Sequence, residues 1–231
     1  MLKIEKLNQY YSQSHTLWDF DLELETGKCN CLMGRNGVGK TTLLNCVVGL
    51  QPIRSGSISY QDMDITKVNA EKRASLGIGY VPQGRQIFPL LTVKENLQIG
   101  LSARADKSNK IPGFIFELFP VLADMLERRG GDLSGGQQQQ LAIGRALGVD
   151  PKLLILDEPT EGIQPNIVQE IGGIIKQLSS DVGMTVLLVE QKLPIVRRIA
   201  DNFAILDRGR KAAAGPIDAL NDDLIREYLT V

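Results

Sequence analysis

Residues 34–42 read Gly34, Arg35, Asn36, Gly37, Val38, Gly39, Lys40, Thr41, Thr42, which fits G-x-x-x-x-G-K-[ST]. The glycines allow backbone N–H groups to wrap a phosphate chain without Cβ clashes. A helix beginning near Gly39 would aim its positive end at the same phosphates. Lys40 supplies a point charge, and the Thr41 hydroxyl is a ligand suited to Mg²⁺. An apolar stretch, Cys31-Leu32-Met33, precedes the loop, and Thr42–Val48 follows before Gly49, so the spacing predicts strand, loop and helix.

Two further groups could act on a bound phosphate. Leu153–Leu156 is an apolar run ending in Asp157-Glu158, which places both acids at the carboxyl end of a buried strand. One acid there can hold a metal and the other can polarise water. Leu133-Ser134-Gly135-Gly136-Gln137 puts two glycines and a natural cap before a helix running to Leu147, a second device for an anion. A solvated acid pair and an ordinary capped Gly-Gly loop are the plainer readings of each.

These groups need a scaffold. Leu17, Phe20, Leu22 and Leu24 are spaced nearly by two and predict an N-terminal β part. Thr26-Gly27-Lys28 and Ser55-Gly56-Ser57 read as turns, and Ile78–Val81 as a short strand stopped by Pro82. From about Thr92 to Leu147 the spacing turns helical, with Phe116, Leu118, Phe119, Leu122 and Leu126 on one helical pattern and Ala103–Lys110 as a polar loop. Gln137–Gln140 reads as part of a helix. Lys152–Leu156 and Thr185–Val189 suit parallel strands buried on both faces. Between them Ile167, Val168, Ile171, Ile174, Ile175 and Leu178 form a helical stripe started by Pro165, and such a unit predicts a right-handed crossover. Phe203–Leu206, a turn at Asp207–Arg210 and a last helix carrying Leu220, Leu224, Ile225 and Tyr228 complete the chain.

The 231 residues suffice for one buried core. A formal net charge of -1 without a basic block argues against a nucleic-acid partner. The apolar runs are too short to cross a bilayer, and Met1–Lys6 lacks the apolar core of a signal peptide. Cys29, Cys31 and Cys46 are an odd set beside the only histidine, His15, so small reduced core residues are expected rather than a zinc site.

Taken together, these motifs resemble the ATP-binding cassette (ABC) family along the whole chain. The resemblance implies an α/β fold: a P-loop NTPase core with a mostly parallel sheet, an N-terminal antiparallel β part and an α-helical arm. Within one ABC ATPase domain spanning 1–231, residues 1–86 and 148–231 would form the core and 87–147 the arm. ATP and Mg²⁺ are the implied cofactors. Residues 34–42 and Ser134, Gly135, Gly136 and Gln137 would bind ATP. Thr41, Asp157 and Gln83 (in Tyr80-Val81-Pro82-Gln83) would serve the metal, Gln83 also touching ATP, and Glu158 would be the base. Tyr11 stands where the family stacks a ring on adenine, with Tyr10 as its rival and a plain core tyrosine as the alternative for either.

Two positions depart from the family pattern. Gln191 occupies the place of the usual histidine, two residues past the last apolar residue of Thr185–Val189, and Gln164 stands where an aspartate is usual. Gln191 is therefore expected to orient water or the outer phosphate as a neutral catalytic group. Both departures resemble the branch serving branched-chain amino acid and urea importers. The stretches Val81–Pro89 and Gly131–Gln140 are most similar to the urea-type ATP-binding subunit.

The resemblance implies an ATPase of the cytoplasmic membrane face, working as a head-to-tail pair with a second ABC ATPase subunit, identical or different. Its further partners would be integral membrane permease subunits and, indirectly, a periplasmic or extracellular solute-binding protein. Residues Phe88–Leu97, with Ile87, Phe88, Leu90 and Leu91 close together, are expected either to meet the permease or to pack the arm itself. The rival function is a non-transport ABC module acting as a nucleotide-gated switch.

Overall fold

The continuous apolar runs become the centre of the molecule. In the computed structural model, which describes residues 1–104 and 106–230, the strands are β1 (Leu2–Tyr11), β2 (Ser14–Glu23), β3 (Cys29–Met33), β4 (Ser55–Tyr60), β5 (Met63–Asp64), β6 (Ile78–Val81), β7 (Leu153–Asp157), β8 (Thr185–Val189), β9 (Asn202–Asp207) and β10 (Arg210–Pro216). The central sheet runs β10-β9-β3-β8-β7-β6. It is parallel from β9 to β6, with β10 added as an antiparallel hairpin strand. Every residue of β3, β7 and β8 is buried, as expected of strands covered on both faces.

Alternation along those strands divides the interior into two apolar layers. Leu154 and Leu156 face one layer, and Leu153 and Ile155 the other. The first layer is covered by the helices α3 (Val93–Leu101), α4 (Gly113–Leu118), α5 (Pro120–Asp124), α6 (Gly135–Leu147), α7 (Pro165–Ser180) and α8 (Leu193–Ile199). The second holds α1 (Lys40–Val48) and the antiparallel sheet β2-β1-β4-β5. The short helices α2 (Ala70–Ser75) and α9 (Asp222–Tyr228) complete the α-helices among the described residues.

Most local expectations hold. α1 ends at Gly49 in the left-handed conformation, and α7 starts at Pro165 with Ile171, Ile174, Ile175 and Leu178 buried. Gln137–Gln140 lies inside α6.

Three local expectations are corrected. Ser55-Gly56-Ser57 is the start of β4, not a turn. Gly56 has φ of 92°, and a Cβ there would lie 2.4 Å from the Lys6 carbonyl, where β1 bulges against it. The glycine therefore serves a strand crossing rather than a reversal. The helical pattern from Phe116 to Leu126 is split, because Pro120 lacks an N–H and holds Phe119 outside the helical region at φ −132° and ψ 72°. The last helix starts after Leu220, since the Asn221 side chain accepts the Leu224 N–H and caps it there. Of the polar loop Ala103–Lys110, residue 105 lies outside the described residues, and the others form neither helix nor strand.

Candidate functional site

The phosphate loop joins the end of β3 to the start of α1. Gly34 passes so close to β9 that a Cβ would sit 2.3 Å from the Leu206 carbonyl, at a φ of 150°. No other residue fits that approach. Lys40, buried at the first position of α1, donates to the carbonyls of Gly34 at 2.8 Å and Arg35 at 2.9 Å, curling the loop around its own ammonium. Burial pulls its pKa down, against the pull of the Glu158 and Asp157 charges.

The acid pair meets this loop from β7. Thr41 donates from Oγ1 to Asp157 Oδ2 at 3.1 Å. Burial pushes the Asp157 carboxyl up to about 6; the Thr41 bond opposes that and the Glu158 charge adds to it. A hydroxyl and a buried carboxylate whose charge lacks full compensation are a hard-oxygen pair that fits Mg²⁺. Among the described residues no three His, Cys, Asp or Glu side chains converge, so water and phosphate oxygens would complete that shell.

Glu158 joins three side chains beside the phosphate loop. Its backbone has φ of 48°, and its N–H is held by the Val189 carbonyl of β8 at 2.9 Å. Its carboxylate accepts Gln191 Nε2 at 2.5 Å and Gln83 Nε2 at 3.2 Å, and lies 3.7 Å from Lys40 Nζ. Gln191 Nε2 also donates to Asn36 Oδ1 at 2.8 Å, so one amide bridges the acid and the phosphate loop. Gln83 donates as well to Glu161 at 2.9 Å, turning its N–H groups toward both acids.

Ser134 and Gln137 form a reciprocal capping box at the start of α6. Their hydrogen bonds stay within that cap and do not reach the phosphate loop. Arg85 links this region to the segment after Glu158, donating to Gln138 Oε1 and to the Gly162 carbonyl. Tyr11 and Tyr10 separate clearly. Tyr11 stands half exposed with its hydroxyl 3.5 Å from Thr42 Oγ1. Tyr10 is stacked on His15, which stacks on Trp18. Gln164 is the N-cap residue of α7, where its side chain makes no capping bond.

Residues 17–161, more than half of the chain, match the family model described as ABC transporter. The chain belongs to the ABC transporter family. An ABC ATPase therefore carries this site, and ATP is its nucleotide. The high-affinity branched-chain amino acid transport ATP-binding protein BraG of Pseudomonas aeruginosa is 41% identical over 211 residues, covering 91% of this chain and 90% of the relative. A probable branched-chain amino acid transport ATP-binding protein LivF of Archaeoglobus fulgidus is 36% identical, covering 95% and 94%. A nucleotide-free ATP-binding cassette from an ABC transporter superposes with a TM-score of 0.87 at 27% identity, covering 98% of this chain and 97% of that one. A dimeric post-hydrolysis cassette bound to ADP and Pi shares the fold, with a TM-score of 0.84 at 23% identity, covering 94% and 99%.

Several partners of the ABC site escaped the motif reading. Glu161 and Arg85 touch it through contacts between segments far apart in sequence, and Glu190 through its neighbour Gln191 and, 30 residues away, Thr160. Arg35, assigned to the phosphate loop, also donates to the carbonyls of Glu227 and Thr230 at the end of α9. Only Glu190 carried a local signal, as an acid directly after a fully buried strand.

Proposed function

We propose that this chain is the ATP-hydrolysing subunit of a membrane importer for branched-chain amino acids or for urea and short amides. The observation that carries the catalytic part is the convergence of Gln83, Gln191 and Lys40 on Glu158 beside the phosphate loop. The relatives BraG and LivF support the amino-acid class, and the resemblance of Val81–Pro89 and Gly131–Gln140 supports urea within the same branch.

In this reading the loop amides and Lys40 hold the phosphates, and Tyr11 stacks on adenine while Tyr10 stays with His15. Glu158 takes a proton from the attacking water as its oxygen bonds to the γ-phosphorus and the bridge to the β-phosphate breaks. Gln191 donates its two amide hydrogens to Glu158 and Asn36 and has its carbonyl oxygen to accept from that water. Mg²⁺, bound by Thr41 and Asp157 with Gln83 nearby, would neutralise phosphate charge. Residues 1–86 and 148–231 act as nucleotide core and 87–147 as helical arm. Ser134–Gln137 would complete the site of a second ATPase subunit, since its donors are not used by its own phosphate loop.

The same reading places the arm against permease subunits, with a solute-binding protein outside the membrane. Leu90 is 80% exposed and Phe88 44%, while Ile87 packs inward, so the apolar cluster is divided between surface and core. Among the described residues no helix is long and apolar enough to cross a membrane, which fits a peripheral subunit.

Glu158→Gln tests the pair. With Mg-ATP, light scattering of Glu158→Gln, alone and with its natural partner subunit, should give twice the protomer mass, because ATP closes the pair and hydrolysis no longer opens it. Lys40→Ala should lose nucleotide affinity instead. A strictly monomeric Glu158→Gln protein under both conditions would rule out the two-subunit site.

A further inference from the structure

Glu190 is a buried carboxylate, 3% exposed, to which the reaction above gives no task. One of its oxygens accepts the backbone N–H of Gln191 at 2.8 Å and that of Lys192 at 3.1 Å. The other accepts the Thr160 hydroxyl at 2.5 Å. Lys192 closes the ring by donating from Nζ to the Thr160 carbonyl at 2.7 Å. Thr160 is itself 1% exposed and lies two residues past Glu158.

These bonds join two segments that otherwise meet at the catalytic side chains and at the strand bond from Glu158 N–H to Val189. One segment, from Glu158 onward, carries the base. The other, directly after β8, carries Gln191. Each leaves its strand in irregular backbone, and Glu158 is held at a positive φ. We propose that Glu190 is a positioning residue: it fixes the Gln191 backbone and the Thr160 loop to one another, so that the Gln191 amide meets the Glu158 carboxylate and Asn36 at hydrogen-bond distance. The inference rests on the ATPase reading of Glu158 and Gln191 and adds the group that sets their separation.

Three acceptor bonds gathered on one buried side chain resist displacement more than exposed ones do. The role is geometric, so it predicts which substitutions are tolerated. Glu190→Gln keeps an oxygen for the two amides and presents N–H₂ to Thr160 Oγ1, so the ring survives without its charge. Glu190→Met fills similar space and offers no acceptor. Thr160→Ser keeps the hydroxyl and Thr160→Val removes it.

The experiment is steady-state hydrolysis of Mg-ATP by the full chain with its natural partner subunit, beside ATP affinity and melting temperature. Glu190→Met and Thr160→Val should each lower kcat on the order of ten- to a hundredfold, with KM and ATP affinity within about twofold, as expected when positioning is lost remote from the reacting atoms. Glu190→Gln and Thr160→Ser should retain most of kcat. Thr160→Val placed on Glu190→Met should cost little more, since both break one ring. The proposal is overturned if kcat of a folded Glu190→Met or Thr160→Val protein stays unchanged. It is equally overturned if kcat falls only in step with melting temperature and ATP affinity, or if Glu190→Gln is as damaged as Glu190→Met. Should Glu190→Met not fold, Thr160→Val alone decides by the same criteria. If instead Glu158→Gln still hydrolyses ATP, the underlying ATPase reading fails and takes the positioning role with it. An active wild type, an inactive Glu158→Gln and an unaffected Thr160→Val reject the positioning role alone.

Discussion

Glu158 holds a left-handed backbone at φ 48°, a conformation that costs a non-glycine residue about 1–3 kcal/mol. The benefit is direction: its carboxylate turns back over the phosphate loop to Lys40 and Gln191. Gln191 bonds both Glu158 and Asn36, so its loss should free the acid from Asn36. Gln191→Ala is expected to lower kcat by roughly ten- to a thousandfold with little change in KM, the range for losing one positioning or stabilising contact. The neutral amide adds no titration of its own of the kind a histidine there would bring, so wild type and Gln191→Ala should share one pH profile, any limb near pH 6 belonging to Asp157. Steady-state ATPase rates from pH 6 to 8 on both proteins check this, and an unchanged kcat in Gln191→Ala would leave Glu158 without that partner. At this scale the sequence was informative wherever chemistry repeats at fixed spacing. Lys40, Thr41 and Asp157 fall together as the phosphate-loop motif and the strand-end acid require. Glu161 was not legible, and Glu190 only as an acid after an apolar run, because their bonds join segments 78 and 30 residues apart.

Elements were readable where a single period dominated and unreadable where a contact overrode it. β7, β8 and α7 follow from continuous or striped apolar runs. Ser55–Ser57 and the Phe116–Leu126 stretch were misread, one because β1 crosses at Gly56, the other because Pro120 outranks helical spacing. Arg73 of α2 is another such contact. It is 3% exposed and, among the described residues, has no acid partner in hydrogen-bond range, yet its guanidinium donates to the carbonyls of Cys46 and Val47 at the end of α1 and of Ile65, Thr66 and Val68. A planar fork meets five carbonyls, including helix-end groups of α1; those of Cys46 and Ile65 also accept the N–H groups of Gly49 and Val68, while among the described residues those of Val47, Thr66 and Val68 are met by Arg73. Arg73→Met should therefore destabilise the fold by about 2–5 kcal/mol, read as a lower urea midpoint, and Arg73→Lys should restore less than half of it. A midpoint unchanged by Arg73→Met would mean that water satisfies those carbonyls equally well.

Across the whole molecule the two apolar layers set a pH limit to stability. Cys29 of the helix-covered layer, and Cys46 and Tyr60 of the layer under the antiparallel sheet, are each at most 1% exposed. Burial pushes all three up to about 12, from ordinary values of 9.0 for the thiols and 10.0 for the phenol; the Asp201 charge adds to the rise at Cys29, and the Arg73 charge opposes it at Cys46. A group whose folded pKa lies above its unfolded one contributes stability that is intact below the unfolded value and is lost as pH rises toward the folded value. The window is therefore about pH 9 to 12, and the sign is loss on the alkaline side, because the unfolded chain releases protons that the folded chain still holds. Each fully titrating group contributes a slope of at most about 1.4 kcal/mol per pH unit. Urea midpoints measured under reducing conditions should stay level from pH 7.5 to 8.5 and fall steadily by pH 10.5. Cys29→Ala and Cys46→Ala, each less stable than wild type at neutral pH, should show shallower falls, since each removes one titrating group. Parallel profiles for wild type and both variants would show that the alkaline loss arises elsewhere, and thiols that label in the folded protein at pH 8 as fast as in urea would contradict the burial on which the prediction stands.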